Sequence, residues 1–327
     1  MATIIIPKDQ YSMVMLDEMG KLNNIIDPSN GLVAIGGAPE VKSGGKTFTW
    51  RLQEALSGNF TDITSETTAL TPTSLDQLGI VGVQQHLGLP KFVAKYNSIL
   101  VGADTVRPEI VKNIANLAAQ EAQLRMASCT KGAFASPTAT PFITDISAIG
   151  DGTISFKAII DTIAAKYPEK MEGYLTHIIM HPLQFAELVS NQAIEYKNTE
   201  YGAGVSTQGG LPFYCGLRVV TNSVLCTAIV EDGKTKYPVY LAAPKAFNLD
   251  YQRDLEILTQ EDILTGGGVT NIAAYMSLFT SFHAGSWTGG DGTATTVANL
   301  SNGANWEMKY FDTQNVKLHM IKTILKV

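Results

Sequence analysis

The chain has 327 residues and a net charge of −6, with 45% hydrophobic and 17% charged residues. That length can bury a good core divided into two or more lobes. The acidic balance excludes a global basic field that would draw the whole chain to nucleic acid. No apolar run approaches the roughly 20 residues of a membrane-spanning helix. The opening MATIIIPKDQ is too short an apolar run for a secretory signal. Cys129, Cys215 and Cys226 are an odd number without metal spacing, which fits a reducing compartment and buried thiols. Without an export signal, the glycosylation patterns at Asn59 and Asn299 read as chance matches.

Residues 1–45 read as an arm. Helical spacing runs through Met15, Leu16, Met19, Leu22 and Ile26, and DPSNG, GGAPE and KSGG then break regular structure. Such a segment lacks the apolar content for its own core, so it is a disordered terminus or a strap on another surface. KTFTWRL (46–52) alternates with a period of two and reads as a strand, as does 78–89. Between them, 53–77 is rich in Thr, Ser and acids. A structureless loop of that length is unexpected inside a compact domain, which leaves disorder or a long projecting hairpin.

The most helix-like run is TVRPEIVKNIANLAAQEAQLRMASC, Thr105 to Cys129. Ala and straight-chain residues favour a helix, Asp104 or Thr105 can cap it, and Pro108 fits the first turn. Lys131 and Gly132 read as its stop signals. A narrow polar arc holds Lys112, Asn113, Asn116, Gln120 and Gln123. The wide apolar arc, from Ile110 to Met126, is interrupted by Glu121 and Arg125, an i,i+4 pair in the favourable order. About 22 residues at ~1.5 Å give a rod about 33 Å long, either a main core helix or a girder across a flat subunit.

AFASPTATPF (133–142) reads as a linker to a second lobe that mixes helices with a central sheet. SFKAIIDTIAAK (155–166) is an amphipathic helix, YLTHIIMHP (174–182) a strand entering a turn, and LQFAELVSN (183–191) a helix. Residues 196–212 read as an exposed loop; GLRVVTN (216–222) and YPVYLAA (237–243) are strands. NLDYQRDLEILTQEDI (248–263) is followed by the apolar, β-like IAAYMSLFTSFHAGSW (272–287) and a turn-rich stretch. NVKLHMIKTILKV (315–327) reads as a strand with a bulge near Ile321.

No catalytic constellation emerges. His177 and His181 have metal-ligand spacing only on a helix, and Ile178, Ile179 and Met180 favour a strand, so they read as core or turn histidines. The phosphate-loop resemblance ending at Thr47 has Glu40 at the first glycine position. Ser286 lacks a nucleophile elbow, and the 289–292 GGDG is a turn rather than a calcium loop. Glu256, Glu261 and Asp262 beside Arg253 read as a solvated face as readily as paired acid and base.

Arm, hairpin, long helix, mixed lobe and return to the body come in an order that resembles the major capsid proteins of tailed double-stranded DNA bacteriophages, the Hong Kong 97-like fold. HIIMHPLQFAEL (177–188) resembles the strand-then-helix of the axial domain of that family, and GLRVVTN the strand after its loop. RDLEI (253–257) with FTSFHAGSW (279–287) resembles its paired late strands, and LSNGANWEMKYFDTQNVKL (300–318) its C-terminal strap. The resemblance implies an α+β fold with an N-terminal arm (1–45), an extended β-hairpin loop (46–89), a peripheral domain (90–135 and 248–327) with spine helix 105–129, and an axial domain (136–247). It implies a structural protein, not an enzyme, that assembles with itself into pentamers and hexamers of an icosahedral virion shell. Packaged double-stranded DNA would be contacted weakly and non-specifically, with scaffolding, portal and decoration proteins as further partners and the host bacterial cytoplasm as the place of assembly. No separate leader is read before the arm, which implies a separate scaffolding protein or none. No cofactor, metal or membrane is implied. Implied assembly contacts are Phe60, Thr64, Glu66 and Leu70 in the hairpin, Glu121 and Arg125 on the spine, and Arg253 and Trp287 on the late strands. The alternatives are an encapsulin-type nanocompartment shell and, from another class, a cytoplasmic α/β enzyme with an unrecognised site.

Overall fold

The computed structural model describes residues 2–5, 25, 30–36, 47–53, 77–95, 103–170, 173–197, 211–262 and 269–325. The helical spacing expected over 11–26, apart from position 25, the 43–46 part of the phosphate-loop resemblance, and most of 53–77 and 196–212 lie outside the described residues.

Two sheets organise the chain. The first contains β1 (Ala2–Ile5), β2 (Val33–Ile35), β3 (Thr47–Gln53), β4 (Gln77–Lys95), β12 (Phe247–Asp262) and β13 (Val269–Phe282), in the order β1-β12-β13-β4-β3 with β2 on β12. β3 and β4 are antiparallel from Thr47↔Val83 to Gln53↔Gln77, so they form a hairpin stem closed by 54–76. β4 is longer than expected and continues to Lys95 beside β13. β12 and β13 form a long antiparallel pair with register shifts between Tyr251, Arg253 and Glu256. Ile4, Ile257, Ala274 and Leu89 follow one another in a row across the four strands.

The second sheet runs β5 (Ile143–Asp145), β16 (Leu318–Thr323), β11 (Lys234–Ala242), β6 (His177–Met180), β9 (Leu217–Thr221), β8 (Leu211–Tyr214) and β7 (Glu195–Lys197), with β10 (Ile229–Glu231) on β11. Both of its faces are covered. Ile179, Val220, Tyr240, Leu318 and Met320 pack into one core, shared with the first sheet. Ile178, Val219, Val239, Leu241 and Ile321 pack into another, with residues of α2 (Phe156–Lys166) and α3 (Pro182–Ser190). Continuous apolar strands are what two covered faces require. This removes the bulge expected at Ile321: β16 pairs with β11 in unbroken register from Leu318 to Thr323. Its irregular alternation reflects burial on both faces.

The long helix, α1 (Ala103–Phe134), extends past the expected stop, and its 32 residues span about 48 Å. Gly132 is a contact residue rather than a terminator. A Cβ there would sit 2.1 Å from the Leu300 carbonyl oxygen and 2.6 Å from the Trp306 ring, so only glycine admits that approach. The helix ends at Phe134, and two residues on Ser136, as the residue before proline, is driven to extended backbone. From Ala122 to Phe134 the helix is buried almost all round, Gln123 included, so the polar arc read from the sequence does not persist into this half.

The expected linker at 133–142 is instead a packed 3-10 turn, Pro137–Phe142, with Ala139 and Phe142 buried. Thr138 Oγ1 accepts from Met308 N at 2.7 Å, and Phe142 meets Tyr310 edge-on. Phe134 closes the helix against Phe282 of the first sheet and Tyr240 of the second, at 5.8 and 5.4 Å between centroids. The small pair β14 (Gly285–Trp287) and β15 (Trp306–Met308) and the short helix α4 (Val297–Leu300) lie against this end of α1.

Candidate functional site

Among the residues with catalytic potential, His177, His181, Ser286 and the buried cysteines are committed to structure. His177 lies in β6, and its Nδ1 is 2.7 Å from Thr176 Oγ1. Burial, and then the charge of Arg218, push its pKa down to about 4. His181 caps α3: its Nδ1 accepts from Leu183 N at 3.2 Å while Gln184 completes the capping box. The two therefore serve a strand and a cap. Among the described residues no group of three His, Cys, Asp or Glu side chains is placed to hold a metal. Ser286 accepts from Val81 N at 3.1 Å and is buried. Cys129 and Cys226 are buried and Cys215 is half-buried. Burial pushes the Cys129 and Cys215 thiols up to about 12 and raises that of Cys226 as well, so none is poised as a thiolate.

Of the implied assembly residues, Phe60, Thr64, Glu66 and Leu70 lie outside the described residues, within the connection that closes the β3–β4 stem. Arg253 sits at the β12 register shift, paired with Ser277. Trp287 is 2% exposed and packs edge-on against Trp306 at 5.2 Å between centroids. Its Nε1 donates to the Gly290 carbonyl, and Trp306 Nε1 donates to that of Leu300 at 2.7 Å. The Trp287 ring thus backs Trp306, the side chain that meets the end of α1 at Gly132.

Glu121 and Arg125 form the expected pair at 2.7 Å, but the arginine does more than a local bond. It is 9% exposed and donates from Nη1 to the Thr295 carbonyl at 2.6 Å and to Gln85 Oε1 at 3.4 Å. Gln85, fully buried on β4, donates to Thr280 Oγ1 at 2.8 Å, and Thr280 lies 3.5 Å from Cys129 Sγ. One polar thread therefore joins the helix, two strands and the 288–296 loop. A buried arginine with several acceptors satisfies the requirement that a charge taken out of water be paired and hydrogen-bonded. Glu121 stays partly open beside a groove of about 370 Å³ between α1 and the sheet, next to the half-exposed Leu117.

A charge cluster that the sequence reading missed lies on the second sheet. Lys236 Nζ reaches Asp145 at 2.7 Å, Asp232 at 3.3 Å and Glu231 at 3.4 Å, and Lys322 reaches Glu231 at 2.7 Å. Burial opposes ionisation of Asp145, but hydrogen bonds from Lys236 and Ser147 outweigh it and hold the carboxyl at about 2. The sequence signal was EDGKTK, in which Asp232 and Gly233, both at positive φ, make the tight β10–β11 turn.

This two-sheet arrangement around one long helix is the mixed α/β fold of phage capsid subunits. The capsid of Ralstonia phage GP4 is similar, with a TM-score of 0.60 at 12% identity over 91% of each chain. The head structure of Helicobacter pylori bacteriophage KHP40 gives 0.57 at 10% identity, over 90% of this chain and 87% of that one. The capsid of cyanophage P-SCSP1u gives 0.54 at 14% identity, over 77% and 83%. No protein-family model matches the sequence. No curated protein matches it either.

Proposed function

We propose that the chain is the major capsid protein of a tailed double-stranded DNA bacteriophage. It would act as a structural subunit that assembles with itself into pentamers and hexamers of an icosahedral shell. The observation that carries this is fold likeness along nearly the whole chain, 91% of it against the Ralstonia phage capsid subunit. The role is architectural rather than enzymatic, and the structural commitments of His177, His181, Ser286 and the thiols support that.

In Hong Kong 97-like terms, residues 1–45 are the N-terminal arm and 46–89 the extended loop. α1 as the spine, with β12 and β13 of the first sheet, belongs to the peripheral domain, 90–135 and 248–327. The second sheet with α2 and α3 is the axial domain, 136–247. The antiparallel β3–β4 stem supports the extended loop. β16 joins the axial sheet by pairing with β11 and β5, so the end of the chain ties the two domains together. The hairpin lies over a neighbouring subunit, with Phe60, Thr64, Glu66 and Leu70 as its contacts, and Glu121 is the member of the spine pair open to a neighbour. Scaffolding, portal and decoration proteins are further partners, the host cytoplasm is the place of assembly, and the shell meets its packaged DNA through weak, non-specific contacts.

Sedimentation and negative-stain microscopy of the expressed chain, with and without a co-expressed scaffold, test the proposal. Closed shells are expected. Small fixed oligomers under every condition would sink it.

A further inference from the structure

Three turns bring two lysines and a histidine into one neighbourhood. Lys245 lies in the turn between β11 and β12, His283 between β13 and β14, and Lys317 just before β16. Backbone bonds fix this convergence: Ala243 N donates to the Lys317 carbonyl at 2.9 Å and His283 N to that of Ala246 at 2.8 Å. Lys317 Nζ reaches back to the Lys245 carbonyl at 3.4 Å. Lys245 is exposed and adopts φ of +55°, a conformation glycine or asparagine enters more easily, so what the position gains from lysine is the side chain.

Elsewhere in the described residues, lysines clustered on a sheet are met by carboxylates, as Lys236 and Lys322 are. Here no carboxylate of the described residues lies within ion-pair distance of Lys245 or Lys317, and Lys309, just after β15, is already turned to Glu307. Lys317 is held below the ordinary lysine value by burial and then by Lys245; burial and then Lys317 push His283 down to about 4. His283 Nδ1 is shielded from solvent without a hydrogen-bond partner among the described residues. Like charges gathered without a counter-ion, beside a buried ring nitrogen with nothing to bond, match an anion with several acceptor oxygens. Lysine is a point-charge donor suited to a phosphate group.

We propose that Lys245, Lys317 and His283 form a phosphate-binding site. The phosphate group comes from free phosphate or from a nucleic-acid backbone. The second source rests on the capsid reading above, whereas the first stands on geometry alone.

The test follows the ring signals of the five histidines by NMR in the full chain before assembly, in phosphate-free buffer. Adding inorganic phosphate should move the His283 signals saturably and raise its titration midpoint. A Lys245→Gln/Lys317→Gln variant with an unchanged melting temperature should bind at least tenfold more weakly, and Lys245→Arg should retain binding. A short DNA duplex is then added in place of phosphate. A matching His283 response that weakens with salt assigns the site to a nucleic-acid backbone; a response to inorganic phosphate alone assigns it to the free ion. A silent His283 in both arms, or undiminished binding by the double variant, overturns the site. Shell formation is scored separately by microscopy, so failure of the capsid reading would leave the phosphate result intact.

Discussion

Arg125 and Thr295 are joined by a 2.6 Å bond from guanidinium to main-chain oxygen, although 170 positions separate them in sequence. The bond fixes the 288–296 loop on the flank of α1. Asp291 in the same loop accepts from Thr47 N at 2.9 Å, so the foot of the β3–β4 stem is tied to the helix through one loop. Arg125→Met should therefore destabilise the isolated chain, by about 2–4 kcal/mol, because it leaves buried acceptors unpaired. Glu121→Gln, at the more open partner, should cost less than about 1 kcal/mol. Urea unfolding of the unassembled chain measures both. An Arg125 variant with native stability that fails to form shells would place the arginine at an intersubunit contact instead.

Gly132→Ala tests the packing of the helix end. The new methyl must displace the Leu300 carbonyl or the Trp306 ring, and overpacking of this kind costs roughly 1–3 kcal/mol. A lower unfolding midpoint is expected, with an altered near-ultraviolet circular dichroism signal from the Trp287–Trp306 pair. An unchanged midpoint would mean that α4 yields without cost.

Deletion of residues 55–74 should spare the fold. Gln53 and Gln77 already face each other, so the shortened connection becomes a three-residue turn, a common hairpin length. The variant should be a folded subunit by circular dichroism that forms no shells. Shells of normal appearance would remove the hairpin from the assembly contacts.

Acid should destabilise the subunit in two stages. His177, His283 and His319 are held below their ordinary values by burial, at about 4, 4 and 3. The unfolded chain binds their protons first, so their contribution is complete above pH ~6.5 and is lost as pH falls towards 4. Asp145, depressed to about 2, contributes above pH ~4 and is lost only as pH falls towards 2. His319, within 2.8 Å of Thr144 Oγ1, is the most buried of the three. His319→Gln should flatten the stability profile between pH 6.5 and 4. An equally steep profile in the variant would show that His319 does not drive the loss.

Much of this architecture was legible because local signals agreed with it. α2 begins at Phe156 and α3 at Pro182, each within one residue of the start read from the sequence. The alternation in KTFTWRL marks β3, and apolar runs mark the central strands of the second sheet. The misreadings share a cause, which is distance along the chain. Gly132 looks like a terminator because its partners, Leu300 and Trp306, are more than 160 positions away. The 133–142 segment looks like a linker because Met308 and Tyr310, which hold it, are equally remote. Arg125 reads as half of a local pair until Gln85 and Thr295 arrive. The Lys236 cluster needs strands from three parts of the sequence to meet. The doubly covered faces of β16 hide the periodicity that would have fixed its register.

Phe134 bears one further consequence. Its ring touches Phe282 on one side and Tyr240 on the other, so a single side chain is a bearing common to both sheets. Close-packed aromatic contacts resist sliding, because small gaps forfeit much of the attraction. Torque applied to one sheet therefore passes to the other through the helix end.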